Sequence, residues 1–192
     1  MLATRNPHKG KELVELLKEP SIKIHTLAEF PTAPEVVEDG DTCEANAVKK
    51  ALEIARFTGL PAVADDTGLE VEALGGRPGV LAARYAGEIA TYEDNWRKLL
   101  RELEGVPQEK RRARFSTVAA IALPNGRVEI TRGILEGRIS EQPVGAGGFG
   151  YDPVFWVPEL GKTLAELNPE EKNQISHRAR AFRQAKELLQ TM

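Results

Sequence analysis

The sequence predicts an α/β fold, and three observations carry that expectation. Leu2-Ala3 passes through a polar loop into a segment with Leu13, Leu16 and Leu17 on one helical face, the order strand, loop, helix. A second apolar run, Ala62-Val63-Ala64, follows a helical pattern and delivers two adjacent carboxylates, Asp65 and Asp66, to Thr67-Gly68. Arg114 to Leu123 and Arg127 to Leu135 alternate on either side of Pro124-Asn125-Gly126, a hairpin signal between two long strands.

Length and composition bound the rest. At 192 residues the chain is expected to be one catalytic domain, 1–192, with no linker, repeat or low-complexity tract to divide it. Charged residues make up 29% and hydrophobic ones 41%, and no apolar run approaches the roughly 20 residues that span a bilayer. No basic segment followed by an apolar one opens the chain, so a cytoplasmic location is expected, with no membrane as partner. Cys43 is the single cysteine, which excludes an intrachain disulfide and a multi-cysteine zinc site. A net charge of -3 argues against a nucleic acid polymer as partner, whereas a small phosphorylated molecule needs only a local cluster of cations.

In chain order, Thr4-Arg5-Asn6-Pro7-His8-Lys9 reads in two ways. A hydroxyl, an amide and a lysine at a helix N-terminus suit phosphate oxygens. The same residues also make an ordinary helix start, with Asn6 as cap and Pro7 at the first helical position. Ile22-Lys23-Ile24 alternates like a strand, and Pro31 to Pro34 leads into the acidic loop Glu35 to Asp41. From Glu44 a helix is expected on the stripe Val48, Ala51, Leu52 and Ala55, ended by Gly59-Leu60-Pro61. The strand through Ala62 is expected to stop at the glycine turn of Gly68. A half-buried strand then follows on Leu69, Val71 and Ala73, and the glycine loop Gly75 to Gly79 requires unusual backbone angles. Arg84 and Tyr85 either hold that loop or pack on the surface. Trp96, Leu99, Leu100 and Leu103 make an amphipathic helix with its stripe in the core.

Four loci carry chemistry. Successive strand side chains point to opposite faces, so one of Asp65 and Asp66 must look inward, and an ionised carboxylate stays there only if paired, hydrogen-bonded or metal-bound. The acidic loop offers a second ligand or is a solvated charge run. Gly145-Ala146-Gly147-Gly148-Phe149-Gly150-Tyr151-Asp152-Pro153 allows close backbone approach and sets aromatics where a nucleobase can stack, or is a tight turn before the strand Val154 to Val157. In the last helix, with Ser176 as cap and Phe182, Ala185, Leu188 and Leu189 as stripe, the first positions are His177 and Arg178. Cations there oppose the helix dipole, the kind of local violation found at functional sites, and Lys172 adds another nearby.

Together these residues resemble the inosine triphosphate pyrophosphatase, or Ham1-like, family of non-canonical purine nucleoside triphosphate hydrolases, nearly end to end. The parts that carry the resemblance are Ala3-Thr4-x-Asn6-x-x-Lys9, Ala64-Asp65-Asp66-Thr67-Gly68-Leu69, Leu74-Gly75-Gly76-x-Pro78-Gly79 with Ala83-Arg84-Tyr85, Gly147-Gly148-Phe149-Gly150-Tyr151-Asp152-Pro153, and Lys172-x-x-Ile175-Ser176-His177-Arg178. One departure is at the start, where the first strand is clipped to Met1-Leu2-Ala3. The resemblance implies a long central mixed sheet flanked by helices, in two lobes with the substrate cleft between them, and a homodimer. It implies that Thr4, Arg5, Asn6, Pro7, His8 and Lys9 hold the phosphates, that Asp66 is the metal-associated catalytic base and that Thr67 touches substrate. It makes Glu38 the other Mg2+ ligand, a role for which Glu35, Asp39, Asp41 and Glu44 compete. Phe149, Gly150, Tyr151, Asp152, Lys172, His177 and Arg178 would enclose the base and phosphate tail.

The reaction so implied is Mg2+-dependent hydrolysis of ITP, dITP or XTP between the α and β phosphorus atoms, to the monophosphate and pyrophosphate. Two rivals are a Maf-type pyrophosphatase acting on pyrimidine or modified nucleotides, and a nucleotide-binding sensor without turnover.

Overall fold

Asn6 and Pro7 fix where the first helix begins. Pro7 takes the first helical position, where its missing N–H costs nothing, and the Asn6 carboxamide oxygen accepts from the backbone N–H of His8 and Lys9 at 3.0 and 3.2 Å. The computed structural model describes residues 1–192. Its helices are α1 (Pro7–Leu17), α2 (Cys43–Thr58), α3 (Tyr92–Glu102), α4 (Pro169–Ile175) and α5 (His177–Gln190). The strands β1 (Ala62–Val71), β2 (Pro78–Gly79), β3 (Arg112–Ala122), β4 (Val128–Ile139), β5 (Phe155–Val157) and β6 (Lys162–Thr163) form one sheet in the order β2-β1-β3-β4-β5-β6. No helix is long and apolar enough to cross a membrane.

The chain divides into two compact units. The first comprises Met1–Asp66, Thr117–Gly133 and His177–Met192. Here the first residues of β1, Ala62-Val63-Ala64, are buried on both faces, which is why they read as a continuous apolar run. Ala62 and Ala64 pack with Ala47, Ala51, Ile54 and Ala55 of α2, and Val63 packs with Leu13 and Leu17 of α1 and Phe182 and Ala185 of α5. Strand parity then extends this division to the next two residues: Asp65 points to the side of α1 and α5, and Asp66 to the side of α2. The start of α5 lies hard against β4 at Gly133, where a Cβ would fall 2.0 Å from the His177 carbonyl oxygen and 2.6 Å from the Ala181 nitrogen. The Thr131 hydroxyl, donating to the Ala181 carbonyl at 2.8 Å, ties the same two elements.

The second unit comprises Thr67–Ser116 and Ile134–Ser176. Its core gathers Leu69, Val71, Leu99, Leu103, Phe115, Leu135, Ile139, Phe155 and Leu164, with Trp96 and Leu100 packed against it, so the stripe of α3 is core as expected. Its glycine loop adopts positive φ at Gly75, Gly76 and Gly79, the unusual angles that the sequence requires. Tyr85 donates to Glu102 Oε2 at 2.6 Å, and Arg77 donates to the same oxygen at 2.8 Å.

Four expectations are corrected. β1 does not stop at a turn on Gly68; it runs unbroken from Ala62 to Val71, because Gly68 keeps an ordinary strand conformation there and Leu69 and Val71 fill the core. Ala73 is not in a strand but in a short 3₁₀ turn, Glu72–Leu74, that leads into Gly75. Ile22-Lys23-Ile24 forms no strand: Ile22 N–H donates back to the Glu19 carbonyl at 3.0 Å, and pairing to the first residues begins just beyond, where His25 accepts from Leu2 at 2.8 Å and Thr26 bridges Leu2. The sheet is antiparallel rather than mixed, and parallel pairing appears only as isolated bridges from Leu2 to Thr26 and Val63.

Candidate active site

Two adjacent carboxylates on β1 are buried in opposite surroundings. Asp65 is 2% exposed and meets three cations: Lys9 Nζ from α1 at 3.2 Å, Arg178 Nε from α5 at 3.2 Å, and Lys50, whose ammonium donates to the Asp65 carbonyl at 2.7 Å. Burial alone would raise its pKa, but the charges of Lys9, Arg178 and Lys50 outweigh it and hold the carboxyl below the usual range. Arg178, 3% exposed, is held in turn by Glu12 of α1, with Nη1 donating to Oε2 at 2.8 Å. The two carboxylates outweigh its burial and raise its pKa further. This accounts for a cation at the first turn of α5: the local dipole cost is offset by two buried carboxylates.

Asp66 is 7% exposed and behaves oppositely, its pKa raised by burial, with the nearby negative charge of Glu38 adding to the rise against Lys50 and Lys9. Its Oδ2 accepts from Asn46 Nδ2 at 3.0 Å. Cys43, a turn before Asn46 on α2, has its thiol pushed up to about 12 by burial and then by Asp66. Glu38 Oε2 lies 2.9 Å from Lys50 Nζ. Of the competing loop carboxylates, Asp39 is paired with Lys49 at 2.7 Å and Glu44 is paired with Arg132, while Glu38 is the one whose charge bears on Asp66. No three His, Cys, Asp or Glu side chains gather as a ready-made metal cage. Two carboxylates with no cysteine ligand suit a hard cation that takes its remaining oxygens from water and phosphate, so Glu38 and Asp66 fit Mg2+ by donor chemistry.

The loop before α1 is divided. Lys9 joins the carboxylates, whereas Arg5 donates to the Ala33 carbonyl at 2.5 Å, and Pro7 and His8 are exposed. Thr4 Oγ1 accepts from the Asn6 backbone N–H at 3.2 Å, and Asn6 caps the helix, so the ordinary helix start is realised in full. Lys50 is the residue that sequence reasoning missed. It lies one turn beyond Asn46 on α2, and its signal was a lysine on the helix face otherwise given to Ala47, Ala51 and Ile54.

In the second unit, Asp152 organises the glycine loop. It is 3% exposed, accepts from the Phe149 backbone N–H at 2.8 Å and pairs with Lys172 Nζ at 2.6 Å. Lys172 sits 4.7 Å from the centroid of the Phe149 ring, and Tyr92 of α3 lies on that ring at 5.9 Å. Gly148 has φ 70, and a Cβ there would strike Asp152 Oδ2, so the loop depends on glycine at this point. The Tyr151 ring is in the core and its hydroxyl donates to the Ala82 carbonyl at 2.8 Å, so that side chain is a structural anchor. His177 is buried at 4% exposure, and Thr67, which follows Asp66 on β1, is half-buried.

The sequence pattern of the Ham1 family matches residues 1–188. The chain belongs to the Ham1 family. Among its relatives, the dITP/XTP pyrophosphatase of Desulforamulus reducens is 54% identical over 98% of this chain and 94% of that one, and the dITP/XTP pyrophosphatase of Geobacillus kaustophilus is 52% identical over 95% and 89%. A solved HAM1 protein from Coxiella burnetii superposes with a TM-score of 0.89 at 43% identity, covering 100% of this chain and 98% of that one. The nucleoside-triphosphatase, or dITP/XTP pyrophosphatase, of Mycobacterium abscessus superposes with a TM-score of 0.76 at 41% identity, covering 96% and 95%.

Proposed function

We propose that this Ham1 family member hydrolyses non-canonical purine nucleoside triphosphates, ITP, dITP and XTP, to the monophosphate and pyrophosphate, with Mg2+ as cofactor. The observation that carries the reading is the pair on β1. Asp65, held ionised by Lys9 and Arg178, anchors the cations, and Asp66, raised by burial beside Glu38, is set to accept a proton.

Glu38 and Asp66 would hold the metal, which when bound supplies charge neutralisation to the phosphates. Asp66 takes the proton of the attacking water as general base. Lys9 and Lys50 place positive charge next to the carboxylates, where a pyrophosphate leaving group needs it. Thr4, Arg5, Asn6, Pro7 and His8 flank Lys9 as the remaining phosphate contacts, and Thr67 follows the base on the same strand. On the base side, Phe149 offers a ring to stack, Gly150 and Tyr151 offer backbone, and Asp152 fixes Lys172 beside the ring. His177 and Arg178 supply donors to a 6-oxo group. A guanidinium has five N–H donors, so its service to Asp65 and Glu12 is compatible with a further bond to substrate. The reading takes 1–192 as one catalytic domain, acting as a cytoplasmic homodimer.

Phosphorus NMR of a reaction with ITP, in the presence and absence of Mg2+ and with no added phosphatase, tests the proposal. Pyrophosphate is expected as the first inorganic product, only with metal present; orthophosphate appearing first would reject it. A substrate panel decides between this reading and a Maf-type specificity, which would favour pyrimidine triphosphates over ITP.

A further inference from the structure

We propose that Asn46 is a positioning residue that fixes the spacing between Glu38 and Asp66, and so sets the affinity of the pair for a divalent cation. The inference rests on the reading of Glu38 and Asp66 as metal ligands. Asn46 is 2% exposed on α2, and both ends of its carboxamide are used. Oδ1 accepts from the Gly40 backbone N–H at 2.8 Å, and Nδ2 donates to Asp66 Oδ2 at 3.0 Å. Because Gly40 supplies an N–H, only the oxygen of the amide can face it, which turns the NH2 toward Asp66 and settles the orientation of the group.

Gly40 lies two residues after Glu38, so a single side chain ties the loop that carries one carboxylate to the strand that carries the other. The loop has no regular structure of its own from Pro34 to Gly40. Its named ties to α2 are the Gly40 bond to Asn46, the Glu38–Lys50 pair and the exposed Asp39–Lys49 pair. The fit at Gly40 is close: a Cβ there would lie 2.8 Å from Asn46 Oδ1 and 2.9 Å from the Ala45 Cβ. Partners of this kind, one bond removed from the ligands, typically contribute 10–100-fold to metal affinity.

The test is Mn2+ binding by calorimetry on the full chain without nucleotide, for wild type, Asn46→Ala, Gly40→Ala, Glu38→Gln, Asp66→Asn and the double variant Asn46→Ala/Glu38→Gln. Asn46→Ala is expected to weaken Mn2+ binding about 10–100-fold. Gly40→Ala, which attacks the same tie from the loop side, is expected to weaken it in the same direction and serves if Asn46→Ala does not fold. In the Glu38→Gln background the loss from Asn46→Ala should largely disappear, a non-additivity that a merely structural role would not produce. If Glu38→Gln and Asp66→Asn weaken binding measurably while folded Asn46→Ala and Gly40→Ala keep the wild-type affinity, the positioning role is wrong and the metal reading survives. If Glu38→Gln and Asp66→Asn themselves bind Mn2+ as wild type does, the metal reading fails and the inference falls with it.

Discussion

Arg178 Nε lies 3.2 Å from Asp65 Oδ2, with the arginine side chain 3% exposed and the aspartate 1%. Removing the guanidinium takes a buried counter-charge from both Asp65 and Glu12, and although Lys9 and Lys50 stay on Asp65, breaking a buried pair of this kind costs up to about 3–5 kcal/mol. Arg178→Ala is therefore expected to lower the unfolding free energy by about that much, with part of the loss restored in Arg178→Ala/Asp65→Asn. Urea titration of the three proteins checks this, and an unchanged midpoint in Arg178→Ala would mean that water already reaches the pair.

The same pair sets an acid limit. The folded-state pKa of Asp65 is lowered, so its contribution is fully present above the unfolded value of about 3.9 and is lost as pH falls through the folded one. Wild-type stability should decline below about pH 4 more steeply than that of Asp65→Asn. Thermal melts at several acidic pH values read the two slopes, and parallel slopes would show that Asp65 has an ordinary pKa.

For Asp66 the sign reverses. Its folded pKa is raised by burial first, so its contribution is present below about pH 4 and is lost as pH rises through the folded value. At neutral pH and without metal the ionised group is a net cost, and Asp66→Asn is expected to raise Tm while removing turnover. A general base contributes typically about 10²–10⁴-fold to rate and little to ground-state binding, so nucleotide affinity should stay within about tenfold. A variant that keeps more than about a tenth of wild-type kcat would take the base role from Asp66.

Where the sequence was legible, a local rule and the fold agreed. Asn6-Pro7 made a cap and a first helical position, Pro124-Asn125-Gly126 made a hairpin turn, and the stripe of Leu99 and Leu103 went to the core. Asp65 and Asp66 were expected on opposite faces from strand parity alone, and each meets a different helix. Gly68 misled because glycine permits a turn without requiring one, and the buried Leu69 and Val71 beyond it kept the strand going. Lys50 left only the faint signal of a lysine on an apolar helix face, because a polar residue on a helix becomes informative only once its neighbours on other elements are known. Tyr151 looked like a loop aromatic, but its destination depended on a carbonyl at Ala82, far away in the chain.

Base recognition by Arg178 is not isolated by its alanine variant, which confounds stability with specificity. Arg178→Lys keeps a positive charge for Asp65 and Glu12 but loses the planar fork, so it separates the two roles. A hydrogen bond from a charged donor is worth about 1.5–3 kcal/mol, and an adenine 6-amino group offers no acceptor in place of the 6-oxo oxygen. Losing a bond made only to the 6-oxo base should therefore narrow the ratio of kcat/KM for ITP over ATP by roughly 10- to 100-fold, while the urea midpoint falls less than in Arg178→Ala. If Arg178 serves only Asp65 and Glu12, both substrates lose activity in proportion and the ratio stays where it was. Base selectivity would then rest with His177 or with the Phe149 to Asp152 loop, and His177→Ala measured on the same two substrates decides between those.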